Sequence, residues 1–318
     1  MARSRRRWGA PLWGALLAPF AAWAAVRGLG LERGPLIMVV AFTPYVAAAA
    51  VLPVLAAAAA RRWRTTGVAA ALALALAAMV LPRALPADAG PAGFRLRVVS
   101  ANMLLGGASV ADLAALVADR DADVVALQEF TDATREAVRA AGLDARLPYQ
   151  VLHPLRSTLG SALYSRYPLR DTGVRVNQGG FTQAYGVLVP PGGPAVAVES
   201  VHPLAPAGLD ALGPWRADLL AQPAATPAGP LRILAGDFNA TLDHQLLRRL
   251  LDTGYRDAAA TRGAGLRGTW GPYDGDLIPP VAIDHVLADR RIGVRGFGTR
   301  PLADGDHRAV WAELALPR

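Results

Sequence analysis

The chain has 318 residues, 53% of them hydrophobic, no cysteine, and a formal charge of +8 in which every basic residue is arginine. The absence of cysteine excludes disulfide frameworks and thiolate metal sites, and the length allows one large domain plus a further element. The charge implies no basic groove: residues 1–90 hold ten arginines against Glu32 and Asp88, which accounts for the whole excess and leaves the remainder neutral.

Three apolar stretches come first in the chain: Trp8–Val26, Pro35–Ala60 and Gly67–Leu81, the last continuing through Pro82 to Leu85. The first two reach roughly the twenty residues that cross a bilayer core. A cleaved secretory signal fits Arg3–Arg7 and the run behind it but leaves two apolar stretches unexplained. A soluble bundle would need polar helix faces that these Ala- and Leu-rich runs lack. The pattern therefore predicts three transmembrane helices. Arg3, Arg5, Arg6 and Arg7, and then Arg61, Arg62 and Arg64, place the N-terminus and the second loop in the cytoplasm. Everything after Leu85 is then extracytoplasmic. The expected organisation is a multi-pass membrane anchor over 1–86, a Pro/Gly/Ala linker over 87–93 and a globular domain over 94–318.

From Phe94 the pattern changes to short β-rich runs between helices. Arg95–Ser100 reads as a strand, and Ser109 with Asp112 three residues on reads as a capping box opening a helix with Val110, Leu113, Leu116 and Val117 on one face. Asp123–Gln128 is a buried strand, and Thr131–Ala141 a helix stopped at Gly142. Further strands are expected at Gly160–Ser165, Tyr185–Val189, Ala195–Val201, Leu231–Gly236, Ile283–Leu287 and Ala309–Leu314. Asn102, Glu129, His202, Asp237 with Asn239, and Asp284 each stand at or just beyond an apolar strand end. One sheet edge is where rigid scaffolds gather chemistry.

Eight blocks in order make this pattern specific: SANMLLG (100–106), VVALQEF (124–130), SALYSRYPL (161–169), VESVHP (198–203), LAGDFNAT (234–241), GTW (268–270), AIDHVLAD (282–289) and GDHRAVWAEL (305–314). Together they resemble the endonuclease/exonuclease/phosphatase superfamily over about Arg95–Leu316. The resemblance implies an α+β fold, a four-layer α/β/β/α sandwich, and a hydrolase (phosphodiesterase or nuclease) dependent on Mg²⁺ or Mn²⁺. By the same resemblance Glu129, Asn102 and Asp306 would serve the metal. Asp237 would activate water, Asn239 bond a phosphate oxygen, Asp284 orient an imidazole, and His202 and His307 act at the phosphate. A hard cation of this kind takes few carboxylates and keeps several waters. Where many relatives have Ser before the Asp–His pair, this chain has Gly305. Arg267, Trp270 and Tyr273, in a Gly-rich loop, are candidate substrate contacts.

His285 belongs to the other face of its strand by alternation and is expected to be structural, while His153 and His244 are expected to be solvated. The Asn239-Ala240-Thr241 sequon is expected to be a chance match, since a sugar there would block the site. Three functions then compete: a phosphoesterase for a lipid-linked or headgroup phosphate, a tethered extracellular nuclease, and a non-catalytic binding domain. The last is disfavoured because no catalytic position is substituted. The neutral domain and short linker, reaching at most about 28 Å, favour the lipid over nucleic acid, with a site mouth facing the membrane and apolar residues on its rim. No protein partner is predicted.

Overall fold

In a computed structural model, residues 9–271 and 278–318 are described. The chain divides into two compact units, Met1–Pro82 with Asp243–Gln245, and Arg83–Leu242 with Leu246–Arg318.

The first unit is helical: α1 (Gly9–Leu29), α2 (Leu36–Val40), α3 (Thr43–Ala49), α4 (Val51–Ala59) and α5 (Trp63–Val80), the last continued by a 3₁₀ turn over Leu81–Ala84. Two of its segments, Pro11–Leu29 and Trp63–Ala84, are long and apolar enough to cross a membrane, by length and composition. The stretch Pro35–Ala60, expected as one span, is instead divided, and its apolar helix Thr43–Ala59 is shorter than the other two. The break has a local cause. Pro44 has no N–H to give the Val40 carbonyl, and the Thr43 hydroxyl donates to that oxygen instead at 2.6 Å.

The second unit is a two-sheet α/β sandwich. Its strands are β1 (Phe94–Asn102), β2 (Val124–Gln128), β3 (Tyr149–His153), β4 (Ser161–Ser165), β5 (Leu169–Val176) and β6 (Thr182–Leu188). They continue with β7 (Val196–Val201), β8 (Leu231–Asp237), β9 (Tyr255–Asp257), β10 (Asp284–Asp289), β11 (Gly293–Pro301) and β12 (Arg308–Leu316). One sheet has the order β11-β12-β1-β2-β4-β3 and the other β5-β6-β7-β8-β10-β9. Among the described residues only β1/β2 and β7/β8 pair in parallel, so each sheet carries two adjacent strands that end at the same edge. The facing sides interdigitate Leu96, Val98, Val124 and Leu163 with Leu188, Val198, Ile233 and Val286, all buried.

Helices α6 (Val110–Asp119) and α7 (Asp132–Ala140) cover the outer face of the first sheet through Leu113, Leu116, Val117 and Val138. Ser109 caps α6 by accepting the Asp112 N–H at 3.2 Å, an arrangement worth about 1 kcal/mol. The reciprocal half of the capping box is absent. The Asp112 carboxylate accepts from Ala303 N–H, and Ser109 N–H donates to the Ala303 carbonyl. Helices α8 (Leu143–Arg146), α9 (Leu212–Leu220), α10 (Gln245–Asp252) and α11 (Ala258–Thr261) fill the remaining connections.

Two features of this unit bear on the site. A buried polar chain ties the sheets together beneath it: Ser100 Oγ donates to Gln128 Oε1, Gln128 Nε2 to Ser200 Oγ, and Ser200 Oγ to the Leu127 carbonyl. Buried polar groups satisfied in this way fix register, since any slip leaves them unpaired. The other feature is the segment Arg83–Gly93, which is bonded along the unit instead of standing free. The Arg83 carbonyl accepts Gly265 N–H at 3.0 Å, Pro86 bridges to Arg262, and Ala87 N–H donates to Thr261 O at 2.9 Å. Further on, the Ala89 carbonyl accepts Val294 N–H at 2.7 Å and the Gly90 carbonyl accepts Arg295 Nη2 at 2.9 Å.

Candidate active site

All eight residues singled out for chemistry gather at one edge of the sandwich, because β1, β2, β7 and β8 end there and β10 and β12 begin there. Asp284 opens β10 directly opposite Asp237, the last residue of β8. Asn102 ends β1 and turns its amide nitrogen to two carboxylates, Glu129 Oε1 and Asp237 Oδ2, each at 3.2 Å. Its oxygen accepts Leu104 N–H at 3.0 Å, so the amide is locked in an orientation that draws the two acids together.

The backbone around this edge is strained. Leu104, Leu105, Glu129 and Asn239 all have left-handed φ values, between 45° and 56°, a conformation that costs a non-glycine residue roughly 1–2 kcal/mol. At Glu129 the distortion carries the side chain off the end of β2 into the cluster, where Oε2 accepts Leu105 N–H at 3.1 Å. At Asn239 it lets the backbone N–H fold back to Asp237 Oδ1 at 2.8 Å. The Asn239 side-chain amide donates to the Pro203 carbonyl, and the Asn239 backbone carbonyl accepts the Trp215 indole N–H.

Asp237 is the hub. Its Oδ2 lies 3.7 Å from His202 Nε2 and 3.6 Å from His307 Nε2. His307 Nδ1–H donates to Asp284 Oδ2 at 2.9 Å. Asp284 is placed by Thr269, whose hydroxyl accepts both Ile283 and Asp284 N–H groups at 3.0 Å. The two imidazoles differ sharply in charge. Burial works against a charged His307, but Asp284 and Asp237 outweigh it and lift its pKa to about 10. Burial dominates at His202 and pushes its pKa down to about 4, and its Nδ1 has no hydrogen-bond partner among the described residues. Environments that push paired groups apart in this way mark acid–base assignments.

The acids are crowded. Burial raises the pKa of Glu129, and the charges of Asp237 and Asp306 raise it further against the Asn102 hydrogen bond. Burial likewise raises Asp237, opposed by His307. Carboxylates held together against their mutual repulsion, with hard oxygen donors, are a set that a divalent cation would relieve. Ligand atoms of Asp237, Asp284 and His307 also lie within 4.8 Å of one another. His307 in its imidazolium form has no lone pair to offer, which leaves the oxygen side, with Glu129 and Asp306, as the better fit.

Other expected residues fall as follows. Trp270 is half-buried, with its backbone bridged to His307 and Val281, and Arg267 is exposed on the same loop. Tyr273 lies outside the described residues. His285 is buried away from the cluster, between Asp257 Oδ2 and the Ala240 carbonyl, each at 2.9 Å. His153 is half-buried, and His244 is buried instead of solvated.

Three supporting residues escaped the sequence reading. Besides Thr269, these are Asn177 and Gln183, which grip the His202 backbone by its carbonyl and N–H. The cluster of amides in NQGGFTQ (177–183) was the available signal.

The profile of the endonuclease/exonuclease/phosphatase family matches residues 99–307. Among solved structures the chain is similar to an endonuclease/exonuclease/phosphatase from Beutenbergia cavernae DSM 12333, with 18% identity, 70% of this chain and 72% of that one covered, and a TM-score of 0.55. It is also similar to sphingomyelinase C from Streptomyces griseocarneus, with 18% identity, 69% and 99% coverage and a TM-score of 0.51. Truncated Caenorhabditis elegans TDP2 aligns at 18% identity, with 70% and 98% coverage and a TM-score of 0.54. A comparison with curated protein sequences finds no match. The chain belongs to the endonuclease/exonuclease/phosphatase family and is a phosphoester-hydrolysing enzyme of that family, which is generally dependent on divalent metal.

Proposed function

We propose that this family member is a membrane-anchored, divalent-metal-dependent phosphoesterase that hydrolyses an ester or diester of a lipid-linked or headgroup phosphate outside the membrane. The observation that carries the reading is the crowding of Glu129, Asp237 and Asp306 beside one charged and one neutral imidazole. In this reading Glu129 and Asp306 hold Mg²⁺ or Mn²⁺, with Asn102 serving the metal through its hydrogen bond to Glu129. Such an ion, when bound, supplies charge neutralisation at the phosphoryl oxygens.

The chain's own residues do the rest. Asp237, fixed by Asn239 N–H, takes the proton of the attacking water. Asn239 keeps a second amide hydrogen for a phosphate oxygen after bonding Pro203. His307, held by Asp284, donates a charged hydrogen bond to the phosphate, and His202 stands across Asp237 on the leaving-group side. Arg267 and Trp270 contact the substrate beyond its phosphate.

The anchor occupies 1–86 and the catalytic domain 94–318, with its helices on the outer sides of the sheets as a four-layer sandwich. The N-terminus is cytoplasmic and the catalytic domain extracytoplasmic. Pro11–Leu29 and Trp63–Ala84 support two crossings, and the segmented stretch between them supplies the third. The test is a panel on purified full-length protein with Mg²⁺ or Mn²⁺: phosphate or headgroup release from lipid phosphoesters against nicking of plasmid DNA. Preference for the lipid supports the proposal. Efficient nicking without lipid turnover establishes the tethered nuclease instead.

A further inference from the structure

The chain enters the site-bearing unit at Arg83, directly after the body of its last apolar segment. Trp63–Ala84 is 22 residues long and apolar enough to cross a membrane, about 33 Å of helix against a bilayer core of about 30 Å. Its final two residues, Arg83 and Ala84, already belong to the second unit. The Arg83 carbonyl accepts Gly265 N–H, and a Cβ added at Gly263 would lie 2.9 Å from Pro86 N and 3.1 Å from the Ala84 carbonyl. No free tether therefore separates the end of the apolar helix from the loop 262–271. That loop leads within four residues to Thr269, which positions Asp284 at the active site.

The exposed apolar side chains of this unit are distributed with the same bias. Nine large ones are exposed among its described residues. Leu85, Leu105, Val176, Leu209, Leu266 and Ile278 stand on the segment that enters here or on loops and strand ends at the site edge, Tyr185 and Leu220 on the flank of the second sheet, and Tyr149 at the opposite edge. Leu85 is 64% exposed, Leu266 41% and Ile278 43%. Leu85 and Leu266 stand beside the point where the chain enters the unit, Leu266 following the Gly265 that bonds the Arg83 carbonyl, and Ile278 lies on the loop beyond Trp270. Arg267 beside them is exposed, and a long arginine can lay its stem on apolar surface while its head reaches anionic headgroups. Scattered single leucines need no explanation, but a group gathered at one edge marks an interaction surface.

We propose that the edge formed by Leu85, Leu266 and Ile278 is a bilayer-docking surface, seated in the headgroup layer of the membrane that holds Trp63–Ala84. Resting on the membrane-anchor reading, this goes beyond it. The active site is held at headgroup depth by a bonded strap, Arg83–Gly90, so its substrate class is a phosphoester lying in the same leaflet plane.

The absence of cysteine makes single-site labelling clean. Full-length Leu85→Cys, Leu266→Cys, Ile278→Cys and Tyr149→Cys proteins carry an environment-sensitive fluorophore. They are reconstituted into phosphatidylcholine/phosphatidylglycerol vesicles with and without a headgroup-nitroxide lipid. A blue shift and nitroxide quenching are expected at positions 85, 266 and 278, with neither at 149. Equal quenching at all four positions, or none at 266 and 278, overturns the docking surface. Release of the protein from the vesicles by alkaline wash overturns both the anchor and the surface. A lipid-phosphoester assay on the same vesicles separates the two ideas. Quenching without lipid hydrolysis defeats the substrate reading and leaves the docking surface standing. Hydrolysis without quenching does the reverse.

Discussion

Replacing Asp284 by Asn tests how the site sets the charge of His307. The change keeps shape and an acceptor for His307 Nδ1, now 2.9 Å from Asp284 Oδ2, but removes the carboxylate charge. Burial alone would neutralise His307, yet Asp284 and Asp237 raise its pKa from 6.5 to about 10. That rise corresponds to on the order of 5 kcal/mol in favour of the imidazolium. Asp284 is the leading attractive cause, and losing an adjacent opposite charge shifts a pKa by roughly 1–3 units. The alkaline limb of the pH–rate profile should therefore move down by roughly 1–3 units, so that turnover at pH 9 falls by roughly 2- to 100-fold while the rate at pH 6 changes far less. The linkage has the same sign. A folded-state pKa raised above 6.5 adds stability that is fully present below pH 6.5 and is lost as pH rises toward about 10. In Asp284→Asn the contribution should be smaller and its loss complete at lower pH. The assay is hydrolysis of a soluble phosphodiester at saturating Mg²⁺ across the pH range, with thermal unfolding on the same samples. An alkaline limb that stays where it was would refute the assignment of His307 as the charged donor.

Other perturbations probe the scaffold and the topology. Gly236→Ala should unfold or severely destabilise the second unit, because its Cβ would sit 2.0 Å from the Val201 carbonyl oxygen across the parallel β7/β8 pair. Overpacking of this kind costs about 1–3 kcal/mol or more, and a melting temperature within a degree of wild type would contradict the register. Asp123→Ala removes a buried carboxylate that accepts from Arg97 N–H and Nε and from Tyr167 Oη. A loss of roughly 3–5 kcal/mol in chemical denaturation is expected, at the far edge from the site and with little change in KM. Reporter fusions after Leu85 should be active only outside the membrane and fusions at Arg61–Arg64 only inside, the reverse pattern removing the case for an external substrate.

Much of the site was legible in the sequence because its residues are chemically specific and tied to strand ends. The eight ordered blocks located Asn102, Glu129, His202, Asp237, Asn239, Asp284, Asp306 and His307, and the structure gathers them. What stayed hidden was non-local. Strand β11 carries Gly296 and Gly298 in an apolar-poor run, and the reason becomes visible only in the fold. Trp311 packs over both, and a Cβ at Gly298 would meet its ring at 2.6 Å. A window of hydropathy averages over Pro44 and so saw one span where the chain forms three short helices. The composition of Pro86–Gly93 reads alike for a free tether and for a strap hydrogen-bonded to a neighbour, and its partners, Thr261 and Val294, are far away in sequence. Thr269 was seen as part of GTW, but its double acceptance of the β10 N–H groups depends on a contact that no spacing rule encodes.

The central claim is metal-dependent phosphoester hydrolysis at the Glu129–Asp237–His307 edge, and single-turnover hydrolysis of a lipid phosphoester by the reconstituted full chain tests it most directly. The account predicts that chelation silences the wild type and that Mg²⁺ or Mn²⁺ restores it. Folded Glu129→Ala, Asp237→Ala and His307→Ala should each lose several kcal/mol of transition-state stabilisation, on the order of 10³-fold or more in rate. Hydrolysis that survives chelation, or that persists in Glu129→Ala at the wild-type rate, would contradict it.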